Sequence, residues 1–169
     1  MKAFCISALC LLLTACAAPN GQQLANTFDT GVAAYDSGDH EKAYKIWSGL
    51  IDQDVAAMRN VAMMLRKGDG VKKDPAAAED MYRRAAEAGL PTAQADLADM
   101  LLHGEAGPPN PKAALPLLAA AAAANHPIAQ YELAQMYETG QDGLVPKSLR
   151  GGAAAAGAGG PSAAAPPRS

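Results

Sequence analysis

The sequence has few cysteines, few aromatic residues and no excess of positive charge. Its three cysteines all fall within the first 16 residues, so the remainder of the chain contains neither a disulfide nor a thiol nucleophile. Aromatic residues make up only 5% of the chain, which leaves few rings to line a ligand pocket. The net charge is -3, whereas a general nucleic-acid-binding protein needs a strongly basic face. These absences argue against a disulfide-stapled domain, a cysteine enzyme and nucleic-acid binding.

Motifs that would carry catalysis are also missing. The chain has no Gly-x-Ser-x-Gly sequence and no phosphate-binding loop. Paired carboxylates such as Asp96 and Asp99 fall on helix faces that we expect to be solvated. His103 and Glu105 are two residues apart, but two ligands in one loop make a weak metal site. We therefore predict no enzymatic activity, no cofactor and no bound metal.

The N-terminus has the pattern of an exported protein. Lys2 is followed by an apolar run over residues 3–13, which is too short to span a bilayer. The next residues, Leu13-Thr14-Ala15-Cys16, resemble the lipobox of bacterial lipoproteins. That resemblance implies cleavage after Ala15 and acylation of Cys16, with several acyl chains giving a stable anchor. Ala17 then implies the periplasmic face of the outer membrane of a Gram-negative bacterium, and the alternative is a secretory signal with an incidental cysteine.

A block of about twelve residues recurs at a fixed spacing of 36. Each copy has apolar residues at helical spacing and ends in glycine, which adopts a left-handed C′ conformation without strain. The copies cover residues 57–68, 93–104 and 129–140. A fixed period of this length indicates stacked structural repeats in place of a single globular core.

A second helix follows each of the first two blocks. Asp74 and Asn110 are suited to the N-cap position, and each precedes a proline suited to the first helical turn. These second helices should end at Gly89 and Asn125, and Pro116 should kink the later one. A more diverged helix pair, with Trp47 on its apolar stripe, precedes the blocks, which gives seven helices.

Residues 25–147 resemble the Sel-one-like repeat family, which is related to the tetratricopeptide repeat. The segment from Arg66 to Asp74, with 81–89 after it, is the closest match. The resemblance implies an all-α, right-handed solenoid of about three and a half antiparallel helix pairs. It also implies a scaffold that binds other proteins. Alanine replaces the usual glycine of the family at positions 62, 98 and 134.

The composition changes after Lys147. Glycine, alanine and proline dominate residues 148–169, where the second helix of the third repeat should begin. We expect this tail to be disordered, and it is either a genuine tail or the product of a shifted reading frame. The predicted organisation is therefore a signal peptide at 1–15, a tether at 16–23, a repeat domain at 24–147 and the tail at 148–169.

Positions that vary between repeats predict a binding surface on the concave side. The first helix of each pair lines that side in solenoids of this type, and the set is basic in the first repeat and acidic in the later ones. A groove with opposite charges at its two ends would orient a charged, extended peptide. The candidate residues are Arg59, Asn60, Met63, Arg66, Lys67, Asp96, Asp99, Leu102, His103, Tyr131, Glu132, Gln135 and Glu138.

The predicted function is that of a lipid-anchored periplasmic adaptor, which holds a segment of another envelope protein. The alternative is binding of a cell-wall fragment or small ligand, for which Tyr131, Tyr137 and His103 are the available lining residues. The last helix, with Leu133 and Tyr137, lacks a partner helix in the sequence. We therefore also predict self-association, or stabilisation by a partner, at the C-terminal end of the solenoid.

Overall fold

The computed structural model describes residues 21–140. This part of the chain forms seven α-helices and no strand, as the sequence predicts. None of these helices is long and apolar enough to cross a membrane. The helices are α1 Gly21–Asp36, α2 His40–Ser48, α3 Val55–Lys67, α4 Pro75–Glu87, α5 Pro91–His103, α6 Pro111–Ala123 and α7 Pro127–Thr139.

The repeated helices begin and end where the 36-residue period predicts. Asp74 and Asn110 accept a hydrogen bond from a backbone N–H in the first turn of α4 and of α6, and a proline opens each helix. Helices α3, α5 and α7 end at glycines with φ of 85°, 67° and 70°, the left-handed region that glycine tolerates. Helix α6 continues through Pro116 as far as Ala123.

Each helix packs mainly against its neighbours in the chain, so the helices form a solenoid of successive pairs. Alanine fills the closest contacts, and the alanines at positions 57, 62, 78, 85, 93, 98, 114 and 121 are all completely buried. Larger side chains occupy the space between pairs, with Met64, Tyr82, Met100 and Leu118 almost fully buried. Small residues at these positions let the helix axes approach closely, which explains the alanine-rich composition.

The diverged first pair is joined to the repeats by specific contacts. Trp47 is buried as predicted, and its indole N–H donates to the backbone oxygen of Phe28 at 3.3 Å. The Tyr35 ring stacks on His40 with 4.6 Å between ring centroids, and its hydroxyl donates to Asp69 in the turn after α3. The first two contacts hold α1 against α2, and the bond from Tyr35 to Asp69 attaches this pair to the turn between α3 and α4.

Helix α7 is the least covered helix in the described part of the chain. Ile128 and Tyr131 are 60% and 68% exposed, and Tyr137 is 36% exposed. Ala134 is exposed, although the matching Ala62 and Ala98, one and two repeats earlier, are completely buried. Leu133 is half-buried because it packs against the core cluster that includes Met136.

The predicted signal peptide, the predicted lipidation site Cys16 and the predicted tail at 148–169 lie outside the described residues, as do the predicted tether up to residue 20 and positions 141–147 of the predicted repeat domain.

Candidate functional site

A groove with a volume of about 500 Å³ lies across the first helices of two successive repeats. Helix α3 supplies four of its eight lining residues, α4 and α5 supply one each, and the turns after α3 and α5 supply one each. The lining residues are Arg59, Met63, Arg66, Lys67, Lys73, Tyr82, Asp96 and Glu105. Five of the residues that the sequence proposed are therefore brought together in one place.

Ion pairs connect the two sides of this groove. Arg59 Nε lies 2.6 Å from Oδ2 of Asp96, and Arg66 Nη2 lies 2.5 Å from Oδ2 of Asp99. The Arg66 guanidinium also donates to both carboxylate oxygens of Glu105, the forked geometry that makes arginine–carboxylate pairs strong. We call these pairs the α3–α5 ladder: Arg59 with Asp96, and Arg66 with Asp99 and Glu105.

Hydrogen bonds within the ladder favour the charged forms of Arg59, Arg66 and Glu105. The hydrogen bond to Glu105 raises the pKa of Arg66, and the bond from Arg66 lowers the pKa of Glu105. Burial opposes the charged form of Arg59, but the hydrogen bond and charge of Asp96 outweigh that effect and raise its pKa. Beneath the groove, burial raises the pKa of Tyr82. Arg59, Arg66 and Glu105 are thus ionised at neutral pH.

The arrangement differs from the bipolar groove that the sequence predicted. Arg59 and Arg66 are not the free basic end of the groove, because the acidic residues of the next repeat neutralise them. The pairs join residues 37, 33 and 39 positions apart, all close to one repeat. Opposite charges on successive first helices therefore face each other and do not lie at separate ends.

His103 approaches the ladder from the end of α5. Its Nδ1 lies 2.9 Å from the backbone oxygen of Asp99, and the hydrogen bond and the nearby carboxylate together raise its pKa. Possible ligand atoms of Asp99, His103 and Glu105 lie within 4.8 Å of one another. The two carboxylates already hold the Arg66 guanidinium, so a metal ion would have to displace a bound cation.

The candidates on α7 lie outside the groove. Tyr131, Gln135 and Glu138 are exposed, and none of them is among the groove-lining residues. Glu132 is different, because its Oε2 atom is buried and has no hydrogen-bond partner among the described residues. Burial raises its pKa, and the negative charge of Asp99 adds to this effect. Glu132 is one repeat after Asp96, but Ala95 stands where Arg59 supplies a cation in the preceding repeat.

The remaining candidates have separate positions. Asn60 is half-buried on α3 and does not line the groove, and Leu102 packs into the cluster around Met136. Tyr131, Tyr137 and His103, the candidates for binding a small ligand, line neither this groove nor a second one of about 300 Å³. The second groove is largely apolar, with Leu97, Leu101 and Leu117 in its lining.

Three lining residues were not predicted from the sequence. Tyr82 is buried in α4, although one side of it reaches the groove. Lys73 and Glu105 lie in turns, after Lys67 and after Gly104, so the helix-face pattern did not include them. Their charges could have indicated a place in the groove, because Lys73 has the same charge as the nearby Lys67 and Glu105 has the opposite charge to Arg66.

Comparison of the sequence with known protein families finds repeats with the same 36-residue spacing. The family model described as "Sel1 repeat" matches residues 55–90, 91–126 and 127–151, which together make up more than half of the chain. The chain belongs to the Sel1 repeat family. The helix pair α1 and α2 precedes the first matched Sel1 repeat. Among curated proteins, none matches the chain significantly.

Two solved structures share the architecture. A Sel1 repeat protein from Oxalobacter formigenes is 29% identical, with a TM-score of 0.62 over 68% of this chain and 47% of its own. A protective antigen of uropathogenic Escherichia coli that displays an SLR fold is 25% identical, with a TM-score of 0.65 over 71% of this chain and 27% of its own. The chain thus spans less than half the length of either protein. Sel1 repeat proteins generally mediate protein–protein interactions and are typically non-enzymatic scaffolds.

Proposed function

We propose that this protein is a lipid-anchored adaptor that holds an extended segment of another cell-envelope protein. The observation that carries the proposal is the groove across α3 and α5, because residues of two successive repeats line it. Its volume of about 500 Å³ falls in the range of roughly 300–1,000 Å³ typical of ligand clefts. A groove of this size accommodates a few residues of an extended chain, whereas a globular surface does not enter it.

The proposed position of the protein in the cell rests on its N-terminal sequence. Acylation of Cys16 would attach the chain to the periplasmic face of the outer membrane, with residues 16–23 as the tether and 24–147 as the binding domain. Cys16→Ser should move the protein from the membrane fraction to the soluble fraction and abolish metabolic labelling with an alkyne fatty acid. Cys10→Ser, within the apolar run, is the matched control and should change neither. Labelling that persists in Cys16→Ser contradicts the anchor.

The adaptor role can be tested by crosslinking in intact cells. Met63 is the best position for a photoreactive residue, because it lines the groove and takes no part in the ladder. Asp99 is less suitable, since its replacement would remove one of the two carboxylates that hold Arg66. The matched control is the exposed Asp80 on α4, which does not line the groove. We expect one envelope protein to be captured from position 63 and not from position 80. Equal capture from both, or none from position 63, contradicts the proposal.

Helix α7 supports a further contact at the end of the solenoid. Its exposed Ile128 and Tyr131 are, with Tyr137, the exposed large apolar residues of the described chain. Burying them would remove apolar surface from water, which favours association at about 25 cal/mol per Å². Self-association through this end is therefore part of the proposal, and no residue of α7 lines the groove.

A further inference from the structure

The groove has positive charge left over once the ladder has formed. Four of its lining residues are cationic, and two of these, Arg59 and Arg66, are bound to carboxylates. The other two, Lys67 and Lys73, form no ion pair within residues 21–140. Lys73 acts on Glu105 only at a distance, where its charge helps to lower the pKa of that carboxyl.

The two lysines lie at the same end of the groove. Lys67 is the last residue of α3, and Lys73 directly precedes the N-cap of α4. The turn between them is tight, because a Cβ placed on Gly68 would lie 3.1 Å from Cβ of Lys73. Both side chains are exposed, so their ammonium groups are available to a ligand.

An apolar surface adjoins this basic end. Met63 is one helical turn before Lys67 and half-buried in the groove lining. An occupant that brings carboxylates to the lysines therefore also covers the Met63 side chain. The ladder carboxylates on the opposite side would repel an occupant that carries negative charge along its whole length.

We propose that the groove binds a peptide segment with two carboxylates beside one apolar side chain. The carboxylates pair with Lys67 and Lys73, and the apolar side chain packs on Met63. This inference rests on the proposed function and adds to it the chemistry of the partner. An anionic membrane fits the site less well, because polybasic lipid-binding segments have about 4–8 clustered basic residues, whereas this groove has two unpaired lysines.

Selection from a random peptide library tests this chemistry directly. Phage-displayed nine-residue peptides would be selected on the purified full chain, and residue frequencies compared with the unselected library. We expect Asp and Glu to be enriched several-fold at two positions, next to an enriched apolar position. Lys67→Glu with Lys73→Glu should reverse the preference towards Lys and Arg. Lys42→Glu with Lys112→Glu changes the net charge equally at exposed sites outside the groove and should preserve the acidic preference.

The outcomes separate this inference from the adaptor role. Capture of a partner from position 63 without acidic enrichment in the library overturns the inference alone. Acidic enrichment without capture in cells overturns the adaptor role alone. Equal loss of enrichment in both lysine pairs shows a general charge effect and overturns the inference.

If the reversed variant fails to fold by circular dichroism, Lys67→Gln with Lys73→Gln should abolish enrichment. Lysine-dependent binding to phosphatidylglycerol vesicles in place of peptides also overturns it.

Discussion

The guanidinium of Arg59 and the carboxylate of Asp96 meet at 2.6 Å across two successive repeats. Only 30% and 24% of these side chains are exposed, so water screens the pair less than it would at the open surface. The pair therefore belongs to the repeat junction itself. This position distinguishes it from Lys45 and Glu41, which pair at a similar 2.7 Å but are 71% and 70% exposed within α2.

A double-mutant cycle should reveal this difference in environment. Alanine substitutions at Arg59 and Asp96, singly and together, should give a coupling free energy of about 1–2 kcal/mol in denaturant unfolding. The same cycle on Glu41 and Lys45 should give only about 0.3–0.5 kcal/mol, as is usual for exposed pairs one helical turn apart. Equal coupling energies in the two cycles would show that the Arg59–Asp96 pair stabilises the chain no more than an exposed pair within one helix.

Replacement of Gly31 by alanine should destabilise the first helix pair. A Cβ on Gly31 would lie 2.8 Å from Cδ1 and Cε2 of Trp47, whose indole is buried between α1 and α2. Overpacking of this kind costs about 1–3 kcal/mol, more than the roughly 1 kcal/mol that alanine gains over glycine within a helix. Gly21→Ala is the matched control, because no atom lies within 4 Å of that Cβ, and it should not lower the unfolding midpoint.

Glu132→Gln should stabilise the protein at neutral pH. Burial raises the pKa of Glu132, so its ionised form is worse accommodated in the folded chain than in the unfolded chain. The gain should be about 0.5 kcal/mol at pH 7, because the carboxyl is partly screened by water. It should shrink as the pH falls through the raised pKa, since the protonated acid then resembles the amide.

Glu138→Gln provides the control on the same helix, at an exposed position. At pH 7 it should change the unfolding free energy by less than about 0.5 kcal/mol, as is usual for surface substitutions. A Glu132→Gln variant that is less stable than the original protein at pH 7, or equally more stable at pH 4 and pH 7, would contradict the explanation.

The exposed face of α7 should govern association more than stability. Ile128→Ser with Tyr131→Ser should change unfolding free energy by less than about 0.5 kcal/mol, because both side chains are largely in water. The same change should abolish concentration-dependent association in sedimentation velocity. Leu118→Ala, at a fully buried position, should instead cost about 2–5 kcal/mol. An original protein that stays monomeric at every concentration would exclude association through this end.

Much of the architecture could be predicted because each repeat carries its own local signals. Gly68, Gly104 and Gly140 mark helix ends, and Asp74 and Asn110 mark helix starts, in both the sequence and the structure. These signals depend only on residues close in sequence, so one amino-acid sequence is enough to detect them. The 36-residue period then predicts the stacking of the pairs.

The ladder was not predicted because it depends on how successive helices are rotated relative to one another. Arg66 reaches Asp99 and Glu105 at different sequence separations, and Glu105 lies beyond the end of α5. A helical-face pattern treats each helix alone and assigns such charges to solvent. Opposite charges about one period apart could have indicated the pairing, and the same signal would have shown that Glu132 has no matching cation.

The two junctions between first helices are chemically unlike. Charged pairs join α3 to α5, whereas Ala95 and Leu102, which stand one repeat after Arg59 and Arg66, belong to the apolar cluster that also includes Met136 of α7. Added electrolyte weakens the first kind of junction, and strongly excluded salts such as sulfate strengthen the second. The ionic composition of the surrounding medium should therefore change the relative strength of the two junctions. Screening by added electrolyte should act on the wall of the groove formed by α3 and α5.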